Sequence, residues 1–454
     1  MYNYFIYNQS RMMVSKKKLR YFLYLEIILV VLFFYKSSSS LSSFVDEYLS
    51  LASNSSFFKN FDFNAGPVGE GSYSVILTSG PLSAVGSVVG WMITKDLIIS
   101  RFFNFIFAFL LHIIFIREIK KHYSINEDML LIYSAFSLVI LPWYFGVLYS
   151  LGEVTSTIIF FYGLLLFEPR RRISLILLSF SIFFGKLILL FLFVIFYLTY
   201  IFLTKEYKNL LSDIFFFSLP LILWITFIAI YYSKGNIFEY IYDFVYFNFI
   251  NNRSAGIKEA SSYNILDYLL SYKNSEVVNW NLADLLRVLV SPLIFIGIAF
   301  LYLSNTLNKS MNLIIPIVVS TTCLFLWFWI LSPTKWIRYS QHFLLIQILF
   351  IFFLLVQKHT KINRNVVLII SLYFSLFFSS SLLILLFMIT ISAIQIFKKQ
   401  QLTILFPYLL GIVFFINLVN SYIELDSKTQ FTFELETCKE TLASRECYQE
   451  YISQ

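Results

Sequence analysis

Apolar runs recur along this chain, each ended by a short polar or basic stretch. At 1.5 Å per residue, about 20 apolar residues carry an α-helix across the ~30 Å hydrocarbon core of a bilayer. Taken in order, the runs predict an all-α polytopic membrane protein of about 13 transmembrane helices, with outer-face loops and a juxtamembrane helix. The predicted spans are 21–35, 97–116, 129–142, 154–167, 173–185, 187–203, 210–232, 288–303, 313–331, 339–356, 366–378, 382–397 and 402–422. The stretch from Thr78-Ser79-Gly80-Pro81-Leu82 to Thr94 is too short for an ordinary span and is followed by Lys95-Asp96. It is predicted to be the juxtamembrane helix, with Pro81 in its first turn, where a missing N–H leaves no bond unmade. The first span resembles a secretory signal peptide in length and in its Ser-rich exit, Ser37 to Ser40. It is read as an uncleaved span, because many spans follow and Glu26 interrupts it.

The polar segments divide the chain. Residues 1–20 form a cytoplasmic N-terminus closed by Lys16-Lys17-Lys18 and Arg20. Residues 21–232 form a first transmembrane module containing an outer loop, 41–96. An outer loop domain, 233–284, rich in Asn, Tyr and Ser, comes next, then C-terminal transmembrane helices, 285–422, and an outer polar tail, 423–454. Basic residues support this orientation: Arg170–Arg172, Lys358 to Arg364 and Lys398-Lys399 all fall in short loops assigned inside. The tail holds Cys438 and Cys447, which an oxidising compartment would allow to pair. Cys323 falls within a span and reads as a small core residue.

Composition agrees with a membrane protein. Of 454 residues, 59% are hydrophobic and 13% charged, against about 25% charged in soluble domains; mean hydropathy is +0.76. The net charge of +8 does not point to nucleic acid, since the basic residues cluster in loops between spans. There is no zinc-type Cys/His spacing, no P-loop and no GxGxxG, which argues against a soluble metalloenzyme or nucleotide-fold enzyme.

Candidate chemistry gathers on the predicted outer face. Asp46 and Glu47 follow the first span, Glu153 opens the fourth, Lys186 lies between the fifth and sixth, and Lys335, Arg338 and His342 stand at the start of the tenth. Facing lipid, each is costly, so a cavity shared by acids and bases is the economical arrangement. Snorkelling to the interface competes with that reading for any one residue. His112, inside a span, reads as a satisfied core histidine.

The order of these features resembles the GT-C glycosyltransferases, in the branch that holds protein O-mannosyltransferases and the lipid A aminoarabinose transferase. The features are an Asp-Glu pair in the first outer loop, Gly80-Pro81-Leu82 opening a helix, Arg101 in Ser100-Arg101-Phe102-Phe103-Asn104, an acidic start to span four, Gly185-Lys186, and Arg338-Tyr339. The resemblance is strongest over 20–205 and absent from 233–284 and the tail. It implies an enzyme that transfers a sugar from a polyprenyl-phosphate-linked donor to a glycolipid, polysaccharide or protein acceptor on the outer face of the membrane. By position it implies Asp46 as the catalytic acid of the first loop with Glu47 beside it, Glu153 as the second acidic residue, and Lys186 and Arg338 at the donor phosphate. It leaves the cofactor open: no clear metal-binding His is seen, and a divalent cation, if used, falls to Asp46 and Glu153. A bacterial inner membrane, with the site on its periplasmic face, is the expected setting.

Two other classes compete. A transporter or flippase of lipid-linked sugars should show paired charges at mid-membrane and repeat symmetry, but the middles of the spans carry few ionisable residues, Glu26 and His112 among them, and no repeat is visible. A polysaccharide polymerase or ligase would use 233–284 as its large outer loop and would leave the acidic pair without a role.

Overall fold

The computed structural model describes residues 80–94, 96–125, 152–231, 282–305, 311–331 and 337–356, with isolated positions between 21 and 58 and between 236 and 242. Among the described residues the regular elements are helices, and there is no strand. A 3-10 turn at Pro81–Ala84 leads into α1 (Val85–Thr94); α2 is Leu97–His122, α3 Glu153–Leu166, α4 Arg171–Phe183, α5 Leu189–Thr204 and α6 Leu210–Tyr231. Later come α7 (Leu282–Asn305), α8 (Met311–Leu326, continued by a π-helical turn at Trp327–Leu331) and α9 (Ile337–Val356).

These helices coincide with the predicted juxtamembrane helix, the second span and the fourth to tenth spans. Within the first predicted span, Tyr21, Tyr24, Ile28, Val31 and Leu32 are helical. The predicted spans 129–142, 366–378, 382–397 and 402–422 lie outside the described residues, as do Asp46, Glu47, the tail and its two cysteines. The largest boundary differences are extensions: α2 runs six residues past its predicted end, and α7 begins at Leu282 rather than 288, inside the segment read as the outer loop; α5 instead begins two residues late, at Leu189. Hydropathy marks where a helix leaves lipid, whereas the backbone hydrogen bonds continue for as long as residues and caps allow.

Local sequence explains the starts and stops. Asp96 caps α2, its Oδ1 accepting from the backbone N–H of Ile98 at 2.7 Å and of Ile99 at 3.3 Å. The last turn of α2 carries Lys120, Lys121 and His122, which suits the negative end of the helix dipole. Pro81 opens the 3-10 turn as the sequence predicts. Pro220, Pro292 and Pro316 sit inside α6, α7 and α8, as membrane helices tolerate when neighbours re-satisfy the backbone.

Among the described residues, three stretches, Ile98–His122, Tyr207–Phe227 and Asn312–Ile330, are long and apolar enough to cross a membrane. The outward faces of α5 and α6 are apolar, with Phe202, Leu211 and Leu223 each more than 60% exposed. A continuous surface of that kind belongs in lipid.

The bundle is built around α3. All fourteen of its residues are buried, the signature of a helix enclosed by protein on every side. It packs against α2, α4, α8, α9 and the 3-10 turn. Small residues set the closest approaches. A Cβ on Gly86 would lie 2.7 Å from the Asn104 Cα, and one on Gly90 2.9 Å from the Ser100 Cα. The Ser100 hydroxyl donates to the Ser87 carbonyl at 2.5 Å between these glycines. This is the small-residue packing that membrane helices use where backbones must touch. On the other side of α3, the Ser174 hydroxyl donates to the Gly163 carbonyl at 2.6 Å and joins α3 to α4.

One end of the bundle is closed by a satisfied charge network. The Arg171 guanidinium donates to both Asp213 oxygens, at 2.9 Å from Nε to Oδ1 and 2.6 Å from Nη2 to Oδ2, and pairs with Glu206 through Nη1. The Tyr197 hydroxyl donates to Asp213 Oδ2 at 2.8 Å, and the guanidinium lies over the Phe167 and Tyr200 rings. Beside it, Arg170 meets Glu118 at 2.8 Å. Breaking a buried ion pair from one side costs about 3–5 kcal/mol. Because Glu206 still faces Arg171, Asp213→Ala is expected to cost about 2–3 kcal/mol, seen as an earlier denaturation midpoint in detergent. The double substitution Arg171→Met/Asp213→Leu should recover most of that loss.

Candidate functional site

At the opposite end of the same helices, the chain gathers a second polar cluster. Gly152, in the left-handed region at φ 73°, turns the backbone into α3. That conformation suits glycine, which has no Cβ to clash. Glu153 is thereby placed in the first turn of α3, near the positive end of the helix dipole. Its side chain is 3% exposed, and Oε1 lies 3.4 Å from Lys186 Nζ. Oε2 has no hydrogen-bond partner among the described residues, and neither does the Ser156 hydroxyl one turn further on.

Lys186 is held in place by its neighbours. The α4–α5 turn packs on the strand-like entry to α1: the Gly80 N–H donates to the Gly185 carbonyl at 2.8 Å, and the Leu82 N–H to the Phe184 carbonyl at 2.9 Å. The Lys186 N–H in turn donates to the Ser181 carbonyl at 3.0 Å. Both glycines are needed for space. A Cβ on Gly80 would fall within the Phe184 backbone, and one on Gly185 would strike the Ser181 carbonyl and the Ser156 hydroxyl. The Gly80-Pro81-Leu82 and Gly185-Lys186 motifs, whose glycines are 105 positions apart in the chain, are thus one piece of structure.

α9 reaches the same level. The Thr157 hydroxyl donates to the Glu153 carbonyl at 2.6 Å and lies 3.0 Å from His342 Nδ1. His342 is 1% exposed. Arg338 stands one turn earlier on α9, in the first turn of that helix.

The structure therefore brings Glu153 and Lys186 into contact and places the start of α9, with Arg338, at the same end of the bundle. Asp46 and Glu47 lie outside the described residues. Among the described residues no group of three His, Cys, Asp or Glu side chains is placed to hold a metal ion, and Glu153 is already engaged with a cation. His112, read as a core histidine, is fully buried and paired with the Tyr162 hydroxyl at 3.0 Å.

Arg101 and Asn104 were given no role by their sequence position, yet both are at most 2% exposed near the start of α2. Their spacing is the signal that marks them: two polar residues three apart share one face of an otherwise apolar helix. Thr155, Ser156 and Thr157, three hydroxyls at the head of an apolar span, are a second such signal.

A buried acid against a half-buried base, with one acidic oxygen left unbonded, suits a polar ligand group. Lys186 can neutralise a phosphate, and Glu153 Oε2 can accept from a hydroxyl. The level is also informative. α3 rises about 20 Å from end to end, roughly 10 Å less than a hydrocarbon core. The Arg171 network and Glu153 thus stand at opposite ends of a helix shorter than that core.

Alanine at Gly80 is expected to lower the thermal midpoint by several degrees, because the clash is with backbone and cannot be relieved by a rotamer. Gly297→Ala, at a helical position with nothing within 4 Å of the added Cβ, should leave the midpoint unchanged or raise it slightly. Equal effects at both positions would show that the Gly80 approach is not tight.

No family model matches the chain, and no curated protein matches it. Its fold does match two solved structures. ArnT from Cupriavidus metallidurans bound to undecaprenyl phosphate superposes with a TM-score of 0.55 at 11% identity, covering 89% of this chain and 77% of that one. The apo state of the same ArnT gives 0.56, at 11% identity, over 89% and 76%. The resemblance read from the sequence therefore holds at the level of the fold: the chain is an integral membrane protein whose fold is that of ArnT.

Proposed function

We propose that this protein is a membrane glycosyltransferase that moves a sugar from a polyprenyl-phosphate-linked donor to a hydroxyl of a glycolipid, polysaccharide or protein acceptor. The observation that carries the reading is the contact of buried Glu153, with its unbonded carboxylate oxygen, with half-buried Lys186 in an ArnT-like fold. A buried ion pair is weak evidence for stability, and the half-satisfied pair here leaves a carboxylate oxygen free to accept a hydrogen bond. Undecaprenyl phosphate, which the solved neighbour holds, is what a donor of this class becomes once its sugar has left.

In this reading Asp46, with Glu47 beside it, takes the proton from the acceptor hydroxyl. The hydroxyl oxygen bonds to the anomeric carbon, the bond from that carbon to the phosphate oxygen breaks, and its electron pair leaves with the polyprenyl phosphate. Lys186 and Arg338 neutralise the charge that grows there, the electrostatic contribution that usually dominates. Glu153 holds Lys186 through Oε1 and accepts a substrate hydroxyl through Oε2. The basic Arg171 end faces the cytoplasm by the positive-inside rule, which puts the Glu153 end, the loop 233–284 and the tail on the periplasmic side of a bacterial inner membrane.

The test is transfer from radiolabelled polyprenyl-phosphate sugars in membrane vesicles. Lys186→Ala is expected to lower turnover by about 10²–10³-fold, the usual loss for one charge-stabilising donor. Asp46→Asn should abolish transfer with the protein still folded, and Glu153→Gln should weaken it with smaller effect on the thermal midpoint than Asp213→Ala. Wild-type-like transfer in Lys186→Ala and Asp46→Asn would sink the assignment.

A further inference from the structure

The proton count at Thr157 decides the state of a buried histidine. A threonine hydroxyl has one proton to give and two lone pairs to offer. The Glu153 carbonyl, 2.6 Å away, accepts and cannot donate, so the hydroxyl proton is committed to it. The bond to His342 Nδ1 at 3.0 Å must then run the other way, with the imidazole donating from Nδ1. Thr157 is fully buried and His342 is 1% exposed, so water cannot easily replace this bond. It is a directional link between α3 and α9, made one turn in from the ends of both helices.

We propose that His342 is a positioning residue for the donor-phosphate site, acting through Arg338. The inference rests on the reading of that site given above. Glu153 stands four residues before Thr157, and Arg338 four residues before His342. One turn, about 6 Å, therefore separates the link from the Glu153 backbone on α3 and from the Arg338 backbone on α9. Fixing Nδ1 to Thr157 fixes the register of α9 against α3, and with it the level at which Arg338 starts. Leu, Ile or Phe at 342 would pack but would let α9 slide or rotate; a donor at the Nδ1 place does not.

The two ring nitrogens allow a sharp test. The Asn amide nitrogen occupies the place of Nδ1, whereas the Gln amide reaches the place of Nε2. The probe is a short-chain polyprenyl phosphate, bound to the full chain in detergent micelles or nanodiscs, with the thermal midpoint recorded for every variant. Losing one buried hydrogen bond corresponds to about tenfold in affinity. His342→Gln and Thr157→Val should each weaken binding by about that factor, while His342→Asn and Thr157→Ser stay within about threefold of wild type. In an Arg338→Ala background, His342→Gln should add nothing further, because its effect passes through the residue already removed.

Equal losses for Asn and Gln, or a His342→Gln penalty that persists undiminished without Arg338, would overturn the proposal and leave His342 as a packing residue. Thr157→Val, close in shape to threonine, supplies the same comparison should His342→Gln fail to fold. If the wild-type chain does not bind the probe at all, the donor-phosphate reading fails first and the positioning role falls with it. Binding by wild type with all variants alike would overturn the positioning role alone.

Discussion

A helix with no lipid-facing side must satisfy every polar group it carries from within the protein. That constraint, imposed by α3, organises the rest of this structure. Its apolar middle is enclosed by α2, α4, α8 and α9, and its two ends force polar neighbours into place. At one end the Tyr123 hydroxyl donates to the Leu165 carbonyl at 2.7 Å, beside the Arg171 network. At the other, Glu153 draws in Lys186, and Thr157 draws in His342. α3 is also short for a membrane crossing, and its enclosure explains why that is tolerated: only lipid-facing helices must match the bilayer thickness.

The two ends answer the constraint differently, and the difference separates architecture from chemistry. Around Arg171, both oxygens of Asp213, a Glu206 oxygen and the Tyr197 hydroxyl are accounted for, and two aromatic rings cover the cation. A closed network of this kind is finished as it stands. Around Glu153, one carboxylate oxygen and the Ser156 hydroxyl remain without partners among the described residues. Leaving such groups dry and unbonded is unfavourable by about 1–3 kcal/mol each. The unbonded groups at the Glu153 end are those that the proposed donor site would satisfy.

Close backbone contacts fix where these helices meet, and they depend on a small set of local conditions. Small residues stand at the α1–α2 contact, where Gly86 and Gly90 meet α2. Two more, Gly80 and Gly185, stand where the entry to α1 meets the α4–α5 turn. Apolar residues elsewhere need only be of suitable size, since cores accept exchange at nearly constant volume.

The sequence by itself determined the class, the helix order and the identity of the polar residues. A hydrocarbon slab makes every apolar run a helix, because unpaired backbone groups are intolerable there. Pro81, Asp96 and the basic ends of spans could be read as local signals for the same reason. Glu153 and Lys186 were legible as costly residues in apolar surroundings, though not as partners: 32 residues and a helical hairpin lie between them. That contact, the pairing of Gly80 with Gly185, the burial of Arg101 and the Thr157–His342 link were decided by tertiary structure. They depend on which helix faces lie together, and hydropathy treats all faces of an apolar helix alike. The same limit explains α7, whose start at Leu282 extends beyond its apolar run into residues that pattern alone assigns to a loop.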